Sequence, residues 1–92
     1  MKKRDAALLN IALLQISQQL KQVYKFVAEK DAENLDEFKK RFANVLGRHV
    51  MELELPLWDE FPELKPEEVD GPYKIDSSIY NESIFNKKDD SN

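Results

Sequence analysis

The chain has 92 residues, of which 41% are hydrophobic and 35% are charged, and its formal net charge is −4. A chain of this length holds one small domain, which buries proportionally little apolar surface and commonly relies on disulfides, metals or a partner subunit for stability. The sequence contains no cysteine, so disulfides and zinc–thiolate sites are excluded and oligomerisation becomes the leading source of extra stability.

The charge is divided unevenly along the chain. Residues 1–50 hold ten Lys or Arg and six Asp or Glu, whereas residues 51–92 hold four and twelve. Either the basic front half and the acidic back half attract each other within the fold, or one of the two fields is presented to a partner.

The first predicted element is a helix over residues 5–30, which contain neither glycine nor proline. Its apolar residues recur at alternating spacings of four and three, the a/d rhythm of helices that pack at shallow angles. These residues are Leu9, Leu13, Ile16, Leu20, Val23 and Val27. The first half of the segment is apolar on more than one side, which predicts neighbours on two sides.

The beginning of this helix, MKKR followed by AALLNIALLQI, superficially resembles a signal peptide. Polar residues interrupt the apolar run at Asp5, Asn10 and Gln15, and no small-residue cleavage site follows. No uninterrupted apolar run approaches the roughly 18 residues of a membrane span. We therefore expect a cytoplasmic protein without a membrane segment, which the absence of cysteine also favours.

A second helix is predicted over residues 35–54, with Phe38, Phe42 and Leu46 on its broad apolar face. The link to the first helix is short, so the two helices are expected to form an antiparallel hairpin. A hairpin alone leaves both apolar faces half covered. We expect the remainder of the chain and a second copy to complete the cover, giving a four-helix bundle in a homodimer.

Two local features of the second helix carry their own predictions. Asn34 and Glu37 have the spacing of a capping box, in which each side chain satisfies a backbone donor of the first turn. Gly47 weakens the helix by about 1 kcal/mol relative to alanine, so we expect it to allow the close approach of another backbone.

The segment after the second helix contains four prolines at intervals of ten residues or fewer. Such spacing excludes another long helix, and Pro56 is expected to end the second one. We predict a proline-rich strap over residues 55–86 with short helical turns. One turn is expected between Pro66 and Gly71. Residues 79–85 are expected to form either a short helix capped by Ser78 or an extended strap. The polar stretch 87–92 is predicted to be a disordered tail. Residues 1–86 then form a single all-α domain.

The most unusual stretch is LELPLWDEFPEL, residues 53–64, which holds the only tryptophan. Its aromatic and acidic residues are the candidate contacts for a protein partner: Trp58, Asp59, Glu60, Phe61 and Glu63. Because large aromatic side chains are usually buried, we favour the interpretation that Trp58 and Phe61 cover the hairpin while the acids face solvent.

Catalytic and cofactor signatures are missing from the sequence. His49 and Glu52 lie three residues apart on one predicted helix face, which makes them weak candidates for metal ligands, but two ligands do not form a site. No serine lies in the sequence context of a nucleophile elbow or a catalytic triad. The two glycines are far apart, so they form no glycine-rich phosphate-binding loop. We expect a protein that is not an enzyme and binds no cofactor.

Three binding functions remain. The main prediction is a self-associating helical module with a regulatory, adaptor or immunity-type role, whose core and dimer seam combine the six a/d residues with Phe38, Phe42 and Leu46. The first alternative is an acidic inhibitor or nucleic-acid mimic that docks a basic groove through residues 52–70, which carry eight acids and one lysine. The second is weak nucleic-acid binding by the basic hairpin, which the interspersed acids disfavour.

Overall fold

The computed structural model describes residues 1–75, 79, 82, 84 and 85. Helix α1 covers Lys3–Lys30, α2 covers Leu35–His49 and α3 covers Leu55–Glu60. Single 3-10 turns follow at Pro62–Leu64 and Glu67–Val69. No residue in these ranges belongs to a strand, so the all-α class and the helical hairpin are confirmed.

Two predictions about the end of the chain fall outside the described residues. They are the capping role of Ser78 and the disordered tail at 87–92. Of the predicted element at 79–85, only residues 79, 82, 84 and 85 are described. Among the residues that are described, no helix is both long enough and apolar enough to cross a membrane.

The connection between α1 and α2 differs from the predicted capping box. A 3-10 turn, Ala32–Asn34, joins the two helices. The side-chain amide of Asn34 donates to both carboxylate oxygens of Asp31 at 3.0 Å and makes no cap hydrogen bond to α2. The capping-box prediction is therefore wrong: the Asn34 side chain is oriented so that its N–H groups donate to the charged Asp31 carboxylate, and its oxygen accepts no cap hydrogen bond from α2.

The prediction that Pro56 ends the second helix is also wrong, since the backbone stays helical to Glu60. Proline cannot donate to the carbonyl four residues earlier, and its ring crowds that carbonyl. The chain accommodates both effects with a π turn, Val50–Glu54, in which the Leu55 amide donates to the Val50 carbonyl five residues back. Pro56 then stands in the first turn of α3, where its missing N–H costs nothing.

The hydrophobic core lies between the first half of α1, the helix α3 and the segment that follows it. The buried apolar residues are Ala6, Ala7, Ile11, Ala12, Leu13, Leu57, Trp58, Leu64 and Ile79. Leu64 is 1% exposed, so the chain after α3 returns to cover α1. Ala6, Ala7 and Trp58 belong to this one core cluster.

The outer part of the hairpin is packed quite differently. We call residues 18–48 the hairpin arm, and none of its side chains is buried. Tyr24 and Phe42 contact each other across the arm with ring centroids 5.0 Å apart. Of the predicted seam residues, Leu13 is buried and Val23 is exposed, and the others are half-buried: Leu9, Ile16, Leu20, Val27, Phe38, Phe42 and Leu46.

The two glycines have opposite surroundings. A Cβ on Gly71 would lie 2.0 Å from the Lys65 carbonyl oxygen, which accepts a 3.0 Å hydrogen bond from the Tyr73 amide. Asp70, with φ 62°, ends the turn before it, so the turn predicted after Pro66 is present and ends one residue earlier than expected. A Cβ on Gly47 would meet nothing within 4 Å, so no backbone among the described residues makes the expected close approach.

This difference predicts opposite effects of the same substitution. Gly71→Ala is expected to lower the free energy of unfolding by about 1–3 kcal/mol, because the backbone has to move to relieve the overlap. Gly47→Ala is the matched control, and it is expected to raise the free energy of unfolding by about 0.5–1 kcal/mol through helix propensity. Urea unfolding at one protein concentration measures both. A Gly71→Ala variant as stable as the parent would contradict the close contact with Lys65.

Candidate functional site

Among the residues that the structure describes, four polar side chains are buried beside the core: Asn10, Ser17, His49 and Glu54. Burying a polar group costs free energy unless it is hydrogen-bonded. Asn10 and Ser17 lie seven residues apart on α1, two helical turns, and so face the same direction. Each of them is the centre of a small hydrogen-bonded group that connects α1 to the second half of the chain.

Asn10 connects α1 to α3 and to the turn that follows α3. The indole N–H of Trp58 donates to the Asn10 side-chain oxygen at 2.7 Å, and the Asn10 amide donates to the Leu64 carbonyl at 3.1 Å. One side chain on α1 thereby satisfies a donor from α3 and an acceptor from the turn after it. These two bonds fix the path of the chain from residue 58 to residue 64.

The second group exists because of the π turn. In an α-helix, side chains five residues apart point about 140° away from each other. The wider π turn brings His49 and Glu54 to the same side, and His49 Nε2 lies 3.1 Å from Glu54 Oε2. Ser17 donates its hydroxyl to that same oxygen at 3.0 Å, and His49 Nε2 is also 3.0 Å from the Leu13 carbonyl oxygen.

This polar cluster of Ser17, His49 and Glu54 has the residue types of a nucleophilic triad but a different order. The carboxylate stands between the serine and the histidine, and the serine donates its proton to the carboxylate. A nucleophilic serine needs a base that takes its proton while a third group orients that base. Here both neighbours of His49 Nε2 are acceptors, so this nitrogen carries hydrogen and cannot serve as that base. The geometry is that of a cross-link between α1 and the π turn.

The weak metal candidates are not brought together. His49 is buried in the polar cluster, whereas Glu52 is exposed and its carboxylate lies 3.9 Å from Arg48. The described residues contain no group of three or more histidine, aspartate and glutamate side chains that could hold a metal ion.

The candidate partner contacts of the 53–64 stretch have different surroundings. Trp58 is 6% exposed, so most of its surface is enclosed by the fold and only a small part borders a groove. Phe61 is half-buried against the core, and Asp59 and Glu60 are exposed. The carboxylate of Glu63 lies 3.5 Å from the Lys3 ammonium. Of this set, the two acids of α3 are the groups most open to a partner.

A groove of about 660 Å³ opens beside the polar cluster. We call it the Glu54 groove. One side is formed by α1, the other by the end of α2 with the π turn, and the residues after α3 close the third side. Its lining residues are Leu14, Ser17, Gln18, Lys21, Leu46, Val50, Glu54, Trp58, Pro66, Glu67, Glu68, Val69 and Tyr73.

The basic side chains of the hairpin are partly neutralised. Arg41 pairs with Glu37 at 2.9 Å, and Arg48 pairs with Glu52. Such exposed pairs contribute little to stability, at most about 1 kcal/mol. They do reduce the positive field that a phosphate backbone would require.

Sequence reasoning missed the polar residues that organise the site. Asn10 and Ser17 repeat at the seven-residue spacing of the apolar stripe, and a polar residue at such a position signals a buried hydrogen bond. Asn10 was interpreted only as an interruption of an apolar run. Glu54 gave no signal, because its burial depends on the π turn before Pro56.

Comparison of the chain with protein-family models, with curated proteins and with solved structures gave no match, so the site is interpreted from its geometry alone.

Proposed function

We propose that this protein is a small helical interaction module that forms a homodimer through the hairpin arm and acts by binding another protein. One observation carries the proposal: no side chain of residues 18–48 is buried, although the arm contains two long amphipathic helical segments. A two-helix layer needs a second layer to shield its apolar stripe from water.

The apolar surface of the arm supports this proposal. Val23, Phe26 and Val45 are 50%, 60% and 54% exposed. A further groove of about 600 Å³ runs along the arm, and its lining is formed by Tyr24, Lys39, Phe42, Ala43, Leu46, Gly47, Val50 and Met51. A protein interface commonly buries about 800 Å² on each partner, and large exposed apolar patches mark such interfaces.

A second copy is the occupant that fits this surface. Residues 18–48 carry seven basic and five acidic side chains, so two arms meeting face to face repel each other only weakly. Two hairpins joined along their apolar stripes form a four-helix bundle, in which the half-buried a/d residues of α1 become core. The absence of cysteine leaves self-association as the natural source of extra stability in so short a chain.

A second candidate function, docking of the acidic segment onto a basic groove of another protein, is favoured by a different observation. The acids that stay exposed between residues 52 and 70 include Asp59 and Glu60 on α3 and Glu67, Glu68 and Asp70 around the following turn. Such a field speeds the association with a basic partner and selects against acidic ones. It is compatible with a dimer, because these acids lie outside the arm.

Three valines of similar exposure allow a matched test of the dimer. Val23 and Val45 lie on the arm, whereas Val69, 43% exposed, lies in the 3-10 turn Glu67–Val69. Val23→Lys and Val45→Lys place a charge in the proposed interface, where an unpaired charge costs several kcal/mol. We expect each to raise the dimer dissociation constant at least tenfold in sedimentation experiments, since tenfold corresponds to about 1.4 kcal/mol.

Val69→Lys is the control and is expected to leave the dissociation constant within about twofold of the parent. Circular dichroism at low concentration checks that all three variants fold. A dimer that both arm variants leave intact would contradict an interface on the arm, as would a dimer that is lost only in the Val69 variant.

A further inference from the structure

We infer that the Glu54 groove is a binding site for an alkylguanidinium or alkylammonium group, which the Glu54 carboxylate receives at the base of the groove. The Glu54 groove adjoins the apolar groove of the arm, with which it shares Leu46 and Val50, but its carboxylates lie outside the arm. The inference does not depend on dimerisation.

The main observation is the incomplete pairing of a buried carboxylate. Glu54 is 3% exposed, and both hydrogen bonds that it accepts, from Ser17 and from His49, go to Oε2. Its other oxygen, Oε1, accepts no hydrogen bond from any residue that the structure describes. Among the described residues, every fully buried side-chain oxygen or nitrogen has a hydrogen-bond partner. Since Oε1 has no partner, it is not fully buried, and it reaches the surface of the groove that Glu54 lines.

A carboxylate oxygen in this position favours a charged donor. Taking a carboxylate out of water costs several kcal/mol, and a cationic donor with direct hydrogen bonds offsets that cost better than a neutral donor does. Ser17 and His49 both donate to Oε2, so Oε1 leaves room for one further strong donor.

The charges around the opening agree with a cationic ligand. Glu67 and Glu68 are exposed residues of the groove lining, and Lys21 is the single basic residue among the lining residues described. Three carboxylates therefore face one ammonium group. Because the apolar walls limit the access of water, these charges attract a cation more strongly than they would on an open surface.

The walls suit a ligand with an alkyl stem. Leu14, Leu46, Val50 and Val69 line the groove together with the Trp58 ring. Aliphatic stems of arginine and lysine lie along such apolar surfaces while the charged end makes its hydrogen bonds. The volume of about 660 Å³ is within the range of about 300–1,000 Å³ found for small-ligand sites.

Two sources carry this chemistry, an arginine or lysine side chain of a protein and a free polyamine. The test titrates the full chain, labelled with nitrogen-15, with N-acetylarginine methylamide, with its neutral analogue N-acetylcitrulline methylamide, and with spermidine. The amide signals of Gln18 and Val50 and the indole signal of Trp58 report on the groove. We expect the arginine compound to bind with a dissociation constant on the order of millimolar, as for a fragment, and the citrulline compound to bind at least tenfold more weakly.

Preferential binding of the arginine compound indicates a protein side chain as the natural source, and preferential binding of spermidine indicates a free amine; both support the site. Equal binding of the arginine and citrulline compounds would overturn the inference. So would the absence of groove shifts with both cations.

Two sets of variants locate the binding. Glu54→Gln is expected to weaken binding of the arginine compound at least tenfold, while Glu52→Gln, which removes an exposed carboxylate outside the groove, leaves it unchanged. If Glu54→Gln fails to fold, the exposed pair Glu67→Gln with Glu68→Gln replaces it, with an expected loss of about two- to fivefold that disappears at high salt. Unchanged binding in a folded Glu54→Gln variant, or in the double variant at low salt, would overturn the inference.

Discussion

Trp58→Ala is expected to lower the free energy of unfolding by about 3–5 kcal/mol, the usual cost of removing a buried aromatic side chain. Trp58 is 6% exposed and packs in the core against the first half of α1. The variant loses the apolar burial of the ring, leaves a cavity and removes the donor to Asn10. Since small domains are stable by only about 5–15 kcal/mol, we expect a largely or wholly unfolded protein at moderate temperature.

Trp58→Phe separates the contributions of burial and hydrogen bonding. Phenylalanine keeps an aromatic ring in the core but cannot donate to the Asn10 oxygen, so an expected loss of about 1–3 kcal/mol remains. Urea unfolding, followed by circular dichroism at one protein concentration, measures both variants. A Trp58→Ala variant within about 0.5 kcal/mol of the parent would contradict a core position for this residue and restore its candidacy as an exposed partner contact.

The second large effect is expected from Asn10→Leu. Leucine has a similar size, but it leaves the Trp58 indole N–H and the Leu64 carbonyl without their partner. Each buried polar group left unsatisfied costs about 1–3 kcal/mol, so we expect the two together to lower the free energy of unfolding by about 2–6 kcal/mol. Gln18→Leu, at an exposed position of the same helix, is the control and is expected to stay within about 0.5 kcal/mol of the parent.

A double-mutant cycle tests the bond itself. If Asn10 and Trp58 interact as described, Asn10→Leu is less costly in a Trp58→Phe background, because the orphaned N–H is already gone. The expected coupling energy is about 0.5–3 kcal/mol. Strictly additive losses would show that the 2.7 Å hydrogen bond contributes nothing to stability.

The hairpin was accessible to sequence reasoning because its signals are local. Apolar residues at spacings of four and three from Leu9 to Val27, with no glycine or proline between them, permit little other than one helix, and α1 indeed covers Lys3–Lys30. The short polar link at 31–34 likewise left only an antiparallel neighbour. The two helices follow from the spacing of their apolar residues, and their antiparallel arrangement follows from the short link between them.

The second half of the chain could not be predicted in the same way. Proline at position 56 normally stops a helix, and nothing in the sequence indicated that a π turn would absorb it. That turn decides which side Glu54 faces, and so it decides the polar cluster. Likewise, the sequence does not show whether the Asn34 side chain bonds to a backbone N–H of α2 or to the Asp31 carboxylate. Only the three-dimensional arrangement decides between the two.

The division of the molecule into two parts connects fold and proposed function. The first half of α1 is enclosed by α3 and Leu64, with polar groups that satisfy one another. The hairpin arm has no such cover. Specific hydrogen bonds are buried at one end of the described structure, and an apolar stripe stays open along the arm. We propose that a second copy covers that stripe.

Sedimentation equilibrium of the unmodified chain tests this account most directly. The chain mass is 10.8 kDa, so the account predicts about twice that mass at micromolar concentrations, together with an unfolding midpoint that rises as the protein concentration is raised. A mass that stays at 10.8 kDa up to the highest concentration measured, with an unfolding midpoint independent of concentration, would contradict the dimer.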